Sequence, residues 1–143
     1  MRAFVDTNVL VYAEHEDDTM AEPARALRRA IAAHRLDATT SVLVIEELWH
    51  VELRRRPELP QGYAADTAEL FGELLPVTNG TLRRAFELRL PYSLGAADRV
   101  HVASCAEHGI DTIVTADVAF DDAVPGLSRV DPLDHRAVDR LLA

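Results

Sequence analysis

The stretch Arg2-Ala3-Phe4-Val5-Asp6-Thr7-Asn8 decides how the chain is read. Ala3, Phe4 and Val5 are an apolar run of the length of a buried strand, and Asp6 follows them directly. In an open α/β sheet, ligands bind outside the carboxyl ends of the strands. A carboxylate at that edge therefore carries more meaning than one in a loop. The structural alternative is that Asp6 or Asn8 caps the next helix, a position both residue types favour. Three further acidic positions along the chain are able to meet Asp6 at the same edge.

Outward from this strand, residues 8 to 15 spell a short, mostly apolar helix, and 14–18 a polar turn with Asp17 and Asp18 solvated. Pro23 fits the first turn of a helix running to about His34. Its Ala24, Leu27, Ala30 and Ile31 recur at helical spacing. A short strand is expected over 36–40. A helix capped by Ser41 should then run from Val42 to about Arg55, stopped by Pro57 and Pro60. Helices are also expected over 61–74, 81–90 and 95–107, with an extended piece at 75–77. Asp111 to Thr115 reads as a second clear strand, 118–125 as a loop or turn, and 127–130 as a last strand. A final helix should open at Pro132 and end at Leu142. Strands alternating with helical crossovers indicate an α/β fold with a mainly parallel sheet, and the absence of a linker or repeat indicates one domain over 1–143.

Composition bounds the chemistry. A chain of 143 residues, 48% of them apolar, has enough material for a proper core. The lone Cys105 excludes a disulfide framework and a cysteine-based zinc site. No apolar run has transmembrane or signal-peptide character, so a cytoplasmic protein with no membrane association is expected. The net charge of −9 argues against a simple basic nucleic-acid glove, though not against an enzyme whose acidic site takes divalent metal. All 15 basic residues are Arg, which excludes lysine-based phosphate loops and Schiff-base catalysis.

Asp6 ends the first strand, and Asp117 lies two residues past the strand that ends at Thr115, so both belong to the carboxyl edge. Crossover helices run antiparallel to the strands, which hangs their N-termini over that same edge. Asp98 falls in the first turn of the 95–107 helix. Glu47 lies nearly two turns into the Ser41-capped helix, with Glu46 as a competitor about 100° round the axis. Four converging carboxylates repel one another unless protonated or neutralised. Oxygen-only ligands suit Mg²⁺, or Mn²⁺ in its place, and such a site fits hydrolysis of a phosphodiester by metal-activated water, with one ion or two. Thr7, Asn8 and Thr115 are placed to hydrogen-bond ligands or substrate. Taken singly, each acid has a structural alternative: Asp98 as a charge at a helix N-terminus, Asp117 as a turn residue.

These residues resemble a family. Phe4-Val5-Asp6-Thr7-Asn8 resembles the opening motif of PIN-domain nucleases. The segment Ser41 to Leu48, with Glu47 in the acidic position, resembles the second. Leu94 to Ala103, with Asp98, resembles the third, and Ile113 to Phe120, with Asp117, the fourth. The four motifs stand in register over almost the whole chain. A stand-alone chain of this size is similar to the VapC toxins of toxin–antitoxin pairs. The resemblance implies a three-layer α/β/α fold and a Mg²⁺-dependent endoribonuclease acting on structured RNA such as tRNA or rRNA. It also implies a homodimer and a VapB-type antitoxin whose tail covers the groove, with operator DNA bound only through the antitoxin.

Other residues are weighed against plainer roles. Arg54-Arg55-Arg56 and the group Arg83, Arg84 and Arg89 suit phosphate contacts, or else solvated helix ends. His50 and His101 are each three residues from an acidic position, and neither is assigned to the metal. Trp49 and Tyr12 are able to stack a base, but fit core packing or a partner groove better; the helices carrying them are candidates for dimer or antitoxin surface. Cys105 reads as a small core residue. Among rival functions, a phosphotransfer enzyme lacks its lysine and, with Asn8, its second aspartate. A non-catalytic PIN-fold module for RNA or protein binding would be expected to lose acidic positions, yet all four stand. A DNA-directed nuclease differs only in contacts to the 2′-hydroxyl.

Overall fold

A computed structural model of the chain describes residues 2–121 and 124–143. Strand β1 (Ala3–Val5) leads through α1 (Thr7–Tyr12) and α2 (Asp18–Ala32) to β2 (Ala38–Thr39). Then come α3 (Val42–Arg54), α4 (Tyr63–Phe71), α5 (Asn79–Glu87) and α6 (Ala96–Glu107). Strand β3 (Thr112–Val114), a 3-10 turn (Val118–Phe120), β4 (Ser128–Val130) and α7 (His135–Leu142) complete the described elements.

The four strands are parallel throughout, in the order β2-β1-β3-β4. Parallel sheets need both faces covered, and the helices cover them, giving the three-layer α/β/α architecture expected. Phe4 pairs with Thr39 on one side and Ile113 on the other, so β1 and β3 are the two central strands. Their side chains Phe4, Val5, Ile113 and Val114 are buried with Leu27, Val44, Leu48 and Phe120 in one core. The chain leaves β1 toward β2 on one flank and leaves β3 toward β4 on the other. The carboxyl ends of β1 and β3 are therefore the topological switch point, where a crevice opens in folds of this kind.

Several element ends differ from expectation, each because a side chain supplies a cap that periodicity does not reveal. Helix α2 begins at Asp18 instead of near Pro23, because the Asp17 carboxylate accepts from the Thr19 N–H at 2.9 Å. Asp18 is paired with Arg25 at 2.8 Å. Pro23 thus sits inside the helix. Helix α7 begins at His135, three residues after Pro132, because Asp134 accepts from the N–H groups of Arg136 and Ala137. Helix α4 is shorter than 61–74: Glu52 of α3 accepts from Gly62 and Ala64 N–H at 3.1 and 2.8 Å and fixes where it starts. Helix α5 starts at Asn79, not Thr81, since Thr78 and Thr81 form a reciprocal capping box. The extended piece at 75–77 makes one parallel bridge, Leu75 with Ser41. Of the loop expected over 118–125, Val118–Phe120 form the 3-10 turn, and Asp122 and Ala123 lie outside the described residues. No helix among the described residues is long and apolar enough to cross a membrane.

Candidate metal centre

The site grows from the end of β1. Asp6 is buried, and its two oxygens are used differently. Oδ1 accepts from the Thr7 N–H at 2.8 Å and caps α1. Oδ2 accepts from the Thr115 hydroxyl at 2.8 Å and from Asn8 Nδ2 at 3.3 Å. One oxygen of Asp6 thus caps α1 while the other is tied to Thr115 and Asn8, so the capping role leaves the carboxylate at the cleft. Thr115, wholly buried at the end of β3, is the hub. Besides donating to Asp6, its oxygen accepts from Asn8 Nδ2 at 2.9 Å and from the Asp117 N–H at 3.1 Å. Asn8 returns the tie, its Oδ1 accepting from the Ala116 N–H at 3.0 Å. These bonds lock the two central strand ends together. Arg129 of β4 adds a bond from behind, donating to the Thr115 carbonyl at 3.0 Å while paired with Asp121.

Asp117 caps the 3-10 turn through the Ala119 N–H at 2.9 Å. Helix α3, capped by Ser41, turns Glu47 toward this edge, where Glu47 Oε1 accepts from the Thr7 hydroxyl at 3.1 Å. Glu46 is exposed and faces a different groove, so Glu47 is the residue that joins the site. Asp98 stands in the first turn of α6, as expected from its spacing. Asp6, Glu47, Asp98 and Asp117 all line one open cleft of about 580 Å³, together with Thr7, Asn8, Tyr12, His15 and Pro57. Burial, and then the charge of Asp6, raise the Asp98 carboxyl above its ordinary range; Asp117 adds to this, while His101 and the Gly95 backbone oppose it.

Sequence reasoning left His101 unassigned, yet it stands against two of the four carboxylates. It is wholly buried on α6, with Nε2 2.9 Å from Glu47 Oε1 and 3.7 Å from Asp6 Oδ1. One side-chain atom each of Asp6, Glu47 and His101, of types able to bind a metal, lie within 4.8 Å of one another. The signal available in sequence was its i+3 spacing from Asp98, which a core histidine shares. His50, by contrast, is exposed and outside the cleft lining. Arg54, Arg55, Arg56, Arg83, Arg84 and Arg89 are all exposed, and Arg55 is paired with Glu58. Trp49 is not a core residue: it is 55% exposed and lines an apolar groove of about 510 Å³ between α3 and α4, with Val42, Ile45, Ala64 and Leu74. Cys105 is buried as expected, and burial pushes its thiol up to about 12.

The residues fit a hard divalent cation on the chemistry of the donor set. Four carboxylates share one cleft, burial and then the charge of Asp6 raise the Asp98 carboxyl, and Oδ and Oε atoms predominate over nitrogen.

Comparison with known proteins follows the same lines. The PIN domain family matches residues 3–124. Ribonuclease VapC7 of Mycobacterium tuberculosis is 35% identical over 127 residues, covering 82% of this chain and 83% of the relative. Ribonuclease VapC23 of the same species is 32% identical over 117 residues, covering 80% and 91%. VapC ribonuclease Mb1869c of Mycobacterium bovis is 30% identical over 133 residues, covering 88% and 97%. With the four acidic motifs placed around one cleft at the switch point of the sheet, the chain belongs to the PIN-domain family as a VapC-like member.

Proposed function

We propose that this chain is a VapC-like toxin, a single-domain, cytoplasmic Mg²⁺-dependent endoribonuclease neutralised by a cognate antitoxin. The observation that carries the reading is the convergence of Asp6, Glu47, Asp98 and Asp117 on one cleft; the relatives named as VapC ribonucleases support it. The four carboxylates would hold Mg²⁺, or Mn²⁺ in its place, and the ion supplies Lewis-acid activation of water and charge neutralisation at the scissile phosphate.

The chain's own residues do the rest. Thr115 and Asn8 fix Asp6 by three hydrogen bonds, counting the one between them, so its geometry is set before substrate arrives. Thr7 holds Glu47 in the same way. Asp98 reaches the same cleft from the first turn of α6, its carboxyl raised by burial and by the charge of Asp6. Tyr12 and His15 at the cleft wall offer ring faces to an unstacked base of a structured RNA such as tRNA or rRNA. The apolar α3–α4 groove around Trp49 suits a VapB-type antitoxin, in line with the surface role expected of α3. A homodimer, and operator DNA bound only through the antitoxin, belong to the same reading.

The test is incubation of purified, partner-free protein with total RNA in Mg²⁺, Mn²⁺ or EDTA, beside the Asp98→Ala variant. Discrete fragments that require both metal and Asp98 are the expected result. Intact RNA under every metal, from a folded protein free of antitoxin, would instead leave a non-catalytic PIN-fold binding module.

A further inference from the structure

His101 is wholly buried, its ring packed 5.4 Å from that of Phe4, in surroundings that an aliphatic side chain would fill. A buried polar group is costly unless hydrogen-bonded. Nδ1 has no hydrogen-bond partner among the described residues, so nothing seen on that side of the ring calls for a histidine. The polar partner that the structure gives the ring is on the other side: Nε2 lies 2.9 Å from Glu47 Oε1. An ionised carboxylate only accepts, so the imidazole is the donor.

Glu47 Oε1 has a second donor, the Thr7 hydroxyl at 3.1 Å. Two donors occupy both lone pairs of one carboxylate oxygen. They come from two different helices, α1 and α6, so Oε1 is clamped, and no hydrogen bond among the described residues engages Oε2 of this cleft-lining residue. Without the clamp, Glu47 is able to swing toward water, since its side chain is 33% exposed. Ordering a glutamate costs side-chain entropy, and the clamp removes that cost from ion binding.

We infer that His101 is a positioning residue: its Nε2–H pins Glu47 Oε1, with Thr7, so that Oε2 is presented to the ion. This rests on the metal-dependent reading above and adds to it a group that is not itself a ligand. It also divides the roles in α6: Asp98 in the first turn faces the ion, and His101 one turn later holds the carboxylate opposite.

The experiment is Mn²⁺ binding to the full chain by titration and electron paramagnetic resonance, with no RNA present. Wild type is compared with His101→Leu, His101→Gln and His101→Asn, each checked for thermal unfolding. Glutamine carries its amide N–H to about the reach of Nε2; asparagine withdraws it. Loss of an outer-sphere partner typically weakens metal affinity about 10–100-fold, and that loss is expected for Leu and Asn. Gln should stay within a few-fold of wild type. The wild-type Mn²⁺ signal should show no directly coordinated ¹⁴N. Equal affinity in all four proteins would overturn the inference in favour of a core histidine. A direct ¹⁴N coupling, or Gln as weak as Leu, would overturn it in favour of ligation. If His101→Leu does not fold, the Gln–Asn contrast and the wild-type spectrum decide. Absence of Mn²⁺ binding by wild type removes the functional reading itself, and this inference with it.

Discussion

Asp98 carries a charge that the metal-free fold resists. Burial raises its pKa first, and the neighbouring Asp6 and Asp117 add to it. A carboxyl whose folded value lies above its unfolded value gives stability that is complete below the unfolded value and is lost as pH rises through the folded one. Metal-free Asp98→Asn should therefore be more stable than wild type at neutral pH, and the two should converge as pH falls through the ordinary carboxylate range. Thermal unfolding in EDTA across pH 3–8, in the acidic limb where the fold survives, checks this. A constant gap at all pH values would show that the charge is not the cause. Thr115 makes the opposite case. Its hydroxyl donates to buried Asp6 and accepts from Asn8 and the Asp117 backbone. Thr115→Val removes one of the two donors to Asp6 Oδ2 and the acceptor of the Asp117 N–H, and a buried polar group left unsatisfied costs about 1–3 kcal/mol, measurable by denaturant unfolding. Cleavage should fall about 10–100-fold as Asp6 loses its anchor. Thr115 and Asn8 were legible because polar residues at strand ends have little reason to be there except a ligand or a cap. His101 was not legible: a histidine at helical spacing in an apolar run is compatible with a core, and only the position of α3 relative to α6 reveals its partner.

At the scale of elements, helix α3 divides two faces between adjacent glutamates. Glu47 meets Thr7 and His101 over the sheet edge, while Glu46 borders the apolar groove with Trp49. Glu47→Gln should reduce RNA cleavage at least about a hundredfold, the upper end for even outer-sphere changes; Glu46→Gln should leave it within a few-fold. Comparable losses in both would mean the helix is set differently. The sequence doublet could not decide this, because both residues are polar and one step apart; the rotation of the helix decides it. The strands and their carboxyl ends were legible from short apolar runs followed at once by Asp or Thr. Helix ends were less so. Asp17, Thr78 and Asp134 move the starts of α2, α5 and α7 by capping them, and Glu52 sets the start of α4 from a neighbouring helix, a contact between elements that no local pattern carries.

For the whole molecule, the switch point between β1 and β3 places the acids and the sheet order does the rest. A protein with net charge −9 and four carboxylates in one cleft gains stability when that cleft is neutralised. Any ligand that binds only the folded state stabilises it, by about 2.7 kcal/mol at a hundred times its Kd. Mn²⁺ should raise the Tm of wild type and leave Asp98→Ala nearly unmoved. The same surface reading applies to the partner. Trp49 is the one tryptophan of the sequence and stands half out of its groove, so antitoxin binding there should quench water contact and shift its fluorescence to the blue. An unchanged spectrum in a formed complex would place the partner elsewhere.

An ion held by Asp6, Glu47, Asp98 and Asp117 would touch the phosphate that is cut. The direct measurement is cleavage of the identified RNA with a sulfur replacing a non-bridging oxygen at the scissile phosphate. Mg²⁺, a hard ion, favours oxygen over sulfur, and Mn²⁺ accepts sulfur more readily. The expected result is slow cleavage of the sulfur-containing RNA in Mg²⁺, restored by Mn²⁺ in wild type and not in Asp98→Ala. Equal cleavage of both RNAs in either metal, or in EDTA, would contradict it.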